Sequence, residues 1–158
     1  MASEDRKKLL ASSVLLNDSI PAITTPYFRF YELEALCRLG YLEKVLQEIK
    51  AYWGGMLRLG AVTFWEEYDP GKALEEQYEM YGDPYGKSLC HAWAAGPIYL
   101  LARYFAGLRA LSPGGSEYEV RPEKRIIRCL SASFPMGPNN VRIQNRDDVV
   151  YVEEDKLR

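Results

Sequence analysis

The run from Leu42 to Leu57, bracketed by Gly40 and Gly60, constrains the fold more than any other stretch of this chain. Leu42, Val45, Leu46, Ile49, Trp53, Met56 and Leu57 recur at the i, i+3, i+4, i+7 spacing of one helical face, which predicts a helix over residues 41–59. Gly60 ends it, because a left-handed closing residue carries least steric cost as glycine. Gly40 closes the preceding segment in the same way. That segment, "YFRFYELEALCRLG", follows Thr25 and Pro26, a hydroxyl cap and a proline suited to the first helical position. Two helices joined across Gly40–Tyr41 have to run nearly antiparallel, as an αα-hairpin.

The flanking sequence is less regular. Residues 4–16, "EDRKKLLASSVLL", read as a short helix capped by Ser3. "NDSIPAITTP" is extended, since a residue before proline avoids the helical region. Residues 67–87 are rich in Pro, Gly and Tyr, with one helical turn or two at "KALEEQYEMY". Ser88 caps a further expected helix over 88–107, with Leu89, Trp93, Leu100, Leu101, Tyr104, Phe105 and Leu108 as its apolar positions and a bend at Pro97. "SPGGSEYEVRP" is loop-like. "RIIRCLSASFP" and "NNVRIQNRDDVVYVEEDK" then favour strands, with turns at "MGPNN" and "NRDD" and strands confined to the region after residue 118. The expected fold class is therefore mainly α: helical hairpins over 1–111, then a loop and small antiparallel β segment over 112–158.

A chain of 158 residues has room for one ordinary domain. Its 20 basic and 22 acidic side chains form no long run of either sign and no basic stripe, so nucleic-acid binding has little electrostatic support. No apolar run is long enough to cross a bilayer, and "MASEDRKKLL" lacks the apolar core of a signal peptide. The expectation is a cytoplasmic protein without a membrane or nucleic-acid partner. Cys37, Cys90 and Cys129 match neither a disulfide framework nor a metal knuckle, and His91 is the only histidine. No metal or other cofactor is expected.

Gly60 to Pro70, "GAVTFWEEYDP", sets three carboxylates beside three aromatic rings. Either the rings fold onto the core and the acids sit in water, or a carboxylate is held against an aromatic wall, as in sugar-processing sites. With Trp65 packed inward, only one of Glu66 and Glu67 can share a cleft with such a wall. A carboxylate acting as general base must be ionised and near a water. In an inverting glycosidase its partner acid stands about 6.5–9.5 Å away; Glu67, Asp69 and Asp83 are candidates only by default. His91, in "SLCHAW", lies in the first turn of the expected helix, where the dipole disfavours its charged form. It is either a structural histidine or a neutral imidazole able to hydrogen-bond a sugar hydroxyl.

"ITTPYFRFYELEALCRLGY", "YWGGMLRLGAVTFWEEYDP" and "PYGKSLCHAWAAGPIYLLARYFAGL", in that order and separation, resemble the C-terminal part of a bacterial α-L-rhamnosidase catalytic domain of glycoside hydrolase family seventy-eight. The resemblance covers roughly residues 9–135 and implies part of a six-hairpin (α/α)6 toroid leading into a terminal β-domain. It implies inverting hydrolysis of terminal α-L-rhamnosides, with Glu66 as general base, His91 contacting rhamnose, and Trp65 and Trp53 lining the pocket. It also implies that the general acid belongs to an earlier segment of the domain, so that the isolated chain is inactive. Two further readings stand beside it: a non-catalytic sugar-binding remnant and a helical self-association module. An uncovered hairpin flank favours a homodimer.

Overall fold

In the computed structural model, which describes residues 3–146 and 149–156, the chain forms α1 (Glu4–Leu10), α2 (Pro26–Arg38), α3 (Leu42–Arg58) and α4 (Gly96–Leu100). Strands β1 (Leu108–Ala110), β2 (Tyr118–Val120), β3 (Cys129–Met136), β4 (Asn139–Arg146) and β5 (Val149–Lys156) follow. The chain divides into two compact units, Met1–Pro97 and Ile98–Arg158.

In the first unit α2 and α3 form the hairpin that the sequence predicts. Gly40 and Gly60 close the two helices at φ 88° and 89°, the left-handed region where a β-carbon would be strained. Residues on opposite sides of the turn meet in nested order: the Arg29 guanidinium bonds Glu48 and, farther out on both sides, the Tyr52 hydroxyl donates to the Thr24 carbonyl. That nesting is the signature of antiparallel helices. From α3 the core receives Val45, Ile49, Tyr52, Trp53 and Met56; from α2 it receives Leu33, Leu36 and Cys37. Burial pushes the Cys37 thiol up to about 12. Gly55 also faces inward, and there the reason is space, since a β-carbon would lie 2.4 Å from the Tyr68 ring. Ser3 caps α1 by accepting from the Arg6 amide at 3.4 Å. Thr25 precedes Pro26 as expected, but its hydroxyl makes no cap bond.

The second unit holds two antiparallel sheets, β1–β2 and the meander β3–β4–β5. Val141 and Ile143 of the central strand are fully buried with Ala106 and Leu108, and Phe134, Leu130 and Tyr118 pack against them. The meander has the pairing expected from the two strand-rich runs, with Met136 opposite Asn139 across the first turn. Asp147 and Asp148, within the expected second turn, lie outside the described residues.

The expected mainly-α class is corrected. Helical residues make up 41% of the structure and strands 21%, and no toroid is evident among the described residues. Three local causes account for the difference. No helix starts at Ser88: residues 92–94 form a 3-10 turn, and α4 begins at Gly96, so that Pro97 sits in a first turn, where its missing N–H costs nothing, and does not bend a long helix. Leu89 and Trp93, taken as apolar positions of that helix, are exposed, as is Leu57 in α3. A strand also forms at Leu108–Ala110, ahead of the expected limit at residue 118.

Candidate functional site

The segment from Thr63 to Tyr68 has no regular secondary structure, yet its backbone is tied down on two sides. On one side it runs against residues 88–91: the Thr63 hydroxyl donates to the Leu89 carbonyl, the His91 amide to the Phe64 carbonyl at 2.8 Å, and the Glu66 amide to the Ser88 carbonyl at 2.9 Å. On the other side the Tyr68 amide donates at 3.2 Å to both the Thr24 carbonyl and the Tyr52 hydroxyl. These bonds satisfy a loop backbone that would otherwise require water. They also bring Glu66 and His91 together, although neither lies on a long helix.

Each oxygen of the Glu66 carboxylate has one donor. Oε1 accepts from the Tyr81 hydroxyl at 2.8 Å, and Oε2 accepts from the Ser88 amide at 3.1 Å. Glu66 is held below the usual carboxylate range chiefly by the Tyr81 bond, against a smaller upward effect of desolvation, with further help from the Ser88 amide and from His91 and Lys87. The Tyr81 phenol is raised in return, first by the same bond. Glu66 is half-buried, so its remaining lone pairs can meet solvent.

Glu67 points into a different environment, ion-paired with Lys72 at 3.4 Å and with Lys87 at 3.7 Å. The Lys87 ammonium is buried, which lowers its affinity for a proton, while Glu67 opposes that shift. Asp69 accepts from the Gly71 amide and Asp83 from the Tyr85 amide, both at 2.8 Å. Thus Glu67, Asp69 and Asp83 are engaged in local structure, and of these four acids Glu66 is the one with a neutral donor on each oxygen.

His91 is half-buried and meets Trp93 edge-on at 5.5 Å between ring centroids. Trp93 is 71% exposed and lies 6.0 Å from Tyr27 of α2. Trp65 is 4% exposed, with its ring tilted against Tyr78. Trp53 is 6% exposed and donates its indole N–H to the Ala94 carbonyl at 2.9 Å. Both are thus buried, Trp65 packed against Tyr78 and Trp53 tying α3 to the residues after His91. The exposed ring beside His91 is Trp93, which sequence reasoning assigned to a helix face. Tyr81, Ser88 and Lys87 bear on Glu66 as well, and their only signal in the sequence is the density of turn residues in "MYGDPYGKS".

A groove of about 720 Å³ lies elsewhere in the unit, lined by Ile20, Ile23, Phe28, Glu32, Lys44 and Glu48 among others, and by none of Glu66, His91, Trp65 or Trp53. Among the described residues no group of three His, Cys, Asp or Glu side chains could hold a metal ion, and no helix is long and apolar enough to cross a membrane.

No protein-family model and no curated protein matches the sequence. Among solved structures, a crystal structure of a GH78 family rhamnosidase of Bacillus sp. GL1 matches with a TM-score of 0.73 and 23% identity, over 90% of this chain. The likeness is one of fold. This chain spans 15% of that chain's length.

Proposed function

We propose that the face carrying Glu66 and His91 is the general-base half of an inverting glycoside hydrolase site resembling that of α-L-rhamnosidases. Glu66 is the base: ionised at neutral pH, it takes a proton from the water that attacks the anomeric carbon. His91 hydrogen-bonds a hydroxyl of a terminal α-L-rhamnosyl unit, and Trp65 and Trp53 back the site from the core. The observation that carries this reading is the backbone pairing of 63–66 with 88–91, which joins a carboxylate of lowered pKa to the single histidine. The fold likeness to a GH78 rhamnosidase supports it.

Inversion also needs an acid on the opposite side of the glycosidic bond, and the committed bonds of Glu67, Asp69 and Asp83 argue against each of them in that role. The isolated chain therefore binds a rhamnoside without turning it over. Titration calorimetry with methyl α-L-rhamnoside tests binding, and release of the aryl group from an aryl α-L-rhamnoside tests turnover. The expected result is binding weakened by both Glu66→Gln and His91→Ala, with no turnover. Absence of binding, or binding indifferent to both substitutions, would sink the sugar reading. Turnover comparable to that of a complete enzyme would sink the half-site.

A further inference from the structure

Tyr81 is 81% exposed, yet its backbone is the one place among the described residues where a non-glycine side chain occupies positive φ, at 56°. Gly82 follows at φ 78°, and Met80 and Asp83 exchange both backbone bonds at 3.0 Å. Two central residues at positive φ within a narrow pair are the pattern of a type I′ turn, which favours Asn-Gly or Gly-Gly and disfavours a bulky aromatic at its first position. Burial cannot explain the tyrosine, because the ring is in solvent. Its hydroxyl has one notable partner, Glu66 Oε1 at 2.8 Å. Strain kept at an exposed residue calls for a compensating role, and such strain gathers around functional groups.

We propose that Tyr81 is a positioning residue for Glu66: the turn presents its hydroxyl so as to fix the rotamer of the carboxylate and leave a defined lone pair free to receive a proton. With the Ser88 amide on Oε2, the two donors hold the carboxylate plane from opposite corners. His91 and Lys87 are the other charged or titratable groups that bear on it, and Glu67 bears on the Tyr81 phenol. The inference rests on Glu66 being the base, but its test does not require turnover.

Side-chain carboxyl NMR follows the titration of Glu66 in the parent chain, in Tyr81→Phe and in Tyr81→Asn. Tyr81→Phe removes only the donor, so the Glu66 midpoint moves up. Tyr81→Asn removes the phenol while placing before Gly82 the residue most tolerant of this turn, so the midpoint again moves up and the melting temperature holds or rises. An unchanged midpoint in Tyr81→Phe overturns the proposal. A lower melting temperature for Tyr81→Asn overturns the claim that the tyrosine is kept in spite of its backbone. If the midpoint moves but no rhamnoside binds, the link between Tyr81 and Glu66 stands and the sugar reading falls.

Discussion

Replacing Trp53 by Phe separates two roles for one residue, a wall of a sugar pocket or a tie within the fold. The indole N–H donates at 2.9 Å to the carbonyl of Ala94, a fully buried residue. Phe cannot donate, so the carbonyl is left unpaired, at a cost of about 1–3 kcal/mol. The smaller ring also leaves space between Tyr52, which it meets at 4.8 Å, and the segment after His91, adding ~1–2 kcal/mol. The expected loss is about 2–5 kcal/mol, a large part of a domain's ordinary stability. Urea unfolding measures it conveniently, because Trp53, Trp65 and Trp93 all lie within Met1–Pro97 and their emission reports that unit. In the variant the buried Trp65 still marks the transition. A loss below about 1 kcal/mol, well under the cost of an unpaired buried carbonyl, would refute the tie. Unchanged stability with weakened rhamnoside binding would instead make Trp53 a pocket residue.

Gly55→Ala drives a β-carbon into the Tyr68 ring and should destabilise by about 1–3 kcal/mol, whereas Gly54→Ala meets only the Arg58 guanidinium at 3.5 Å and should stabilise by up to ~1 kcal/mol; the same ΔΔG for both in urea would contradict the packing argument. Burial alone would raise Glu48, but its bonds to Lys44 and the Arg29 charge outweigh that and lower it. Its contribution is thus present above the unfolded value of about 4.3 and lost as pH falls through the folded value, so urea midpoints at about pH 6 and about pH 3 should differ, and differ less in Glu48→Gln. Leu9, Leu10, Val14, Ile20, Ile23, Phe28 and Tyr31 are exposed in the first unit, and a face of that kind drives association. Light scattering should give a mass near twice 18.1 kDa, and a mass near 18.1 kDa would remove the dimer.

The parts of the fold legible in the sequence are those where one strong local signal meets no competitor. Val45, Ile49, Trp53 and Met56 fall on a single stripe, and Gly40 and Gly60 bound it, so α3 forms where its period places it. The alternation of Val141, Ile143 and Asn145 with Arg142, Gln144 and Arg146 likewise appears as the buried and exposed faces of β4. The stretch from Ser88 to Pro97 departs from the expected helix because apolar residues there carry helical spacing without helical packing. Trp93 and Leu89 turn outward, and the amide of His91 is spent on the Phe64 carbonyl across the loop and not on a helical ladder. Periodicity cannot register a hydrogen bond between segments so far apart in sequence.

The candidate site divides along the same line. Glu66 and His91 could be picked out because carboxylate and imidazole are the chemistry-bearing types, set in aromatic surroundings. The electrostatics of Glu66 could not, because they depend on a hydroxyl from a strained turn, an amide from Ser88 and a buried ammonium at Lys87. None of these has a sequence signature beyond a cluster of Gly, Pro and Tyr. The consequence for function is asymmetric. Residues around Glu66 keep it ionised, which suits a base, and the same lowering makes it a poor proton donor at neutral pH. A general acid needs the opposite environment, a carboxyl with its pKa raised by burial or by a like charge. Glu32 of α2 is raised by desolvation, with the Arg29 charge opposing it. It lines the separate groove that excludes Glu66 and His91, so it cannot serve the same glycosidic bond. Among the described residues the Glu66 face thus holds a carboxylate of lowered pKa and no carboxyl of raised pKa, so the proposed half-site is expected to bind without turnover.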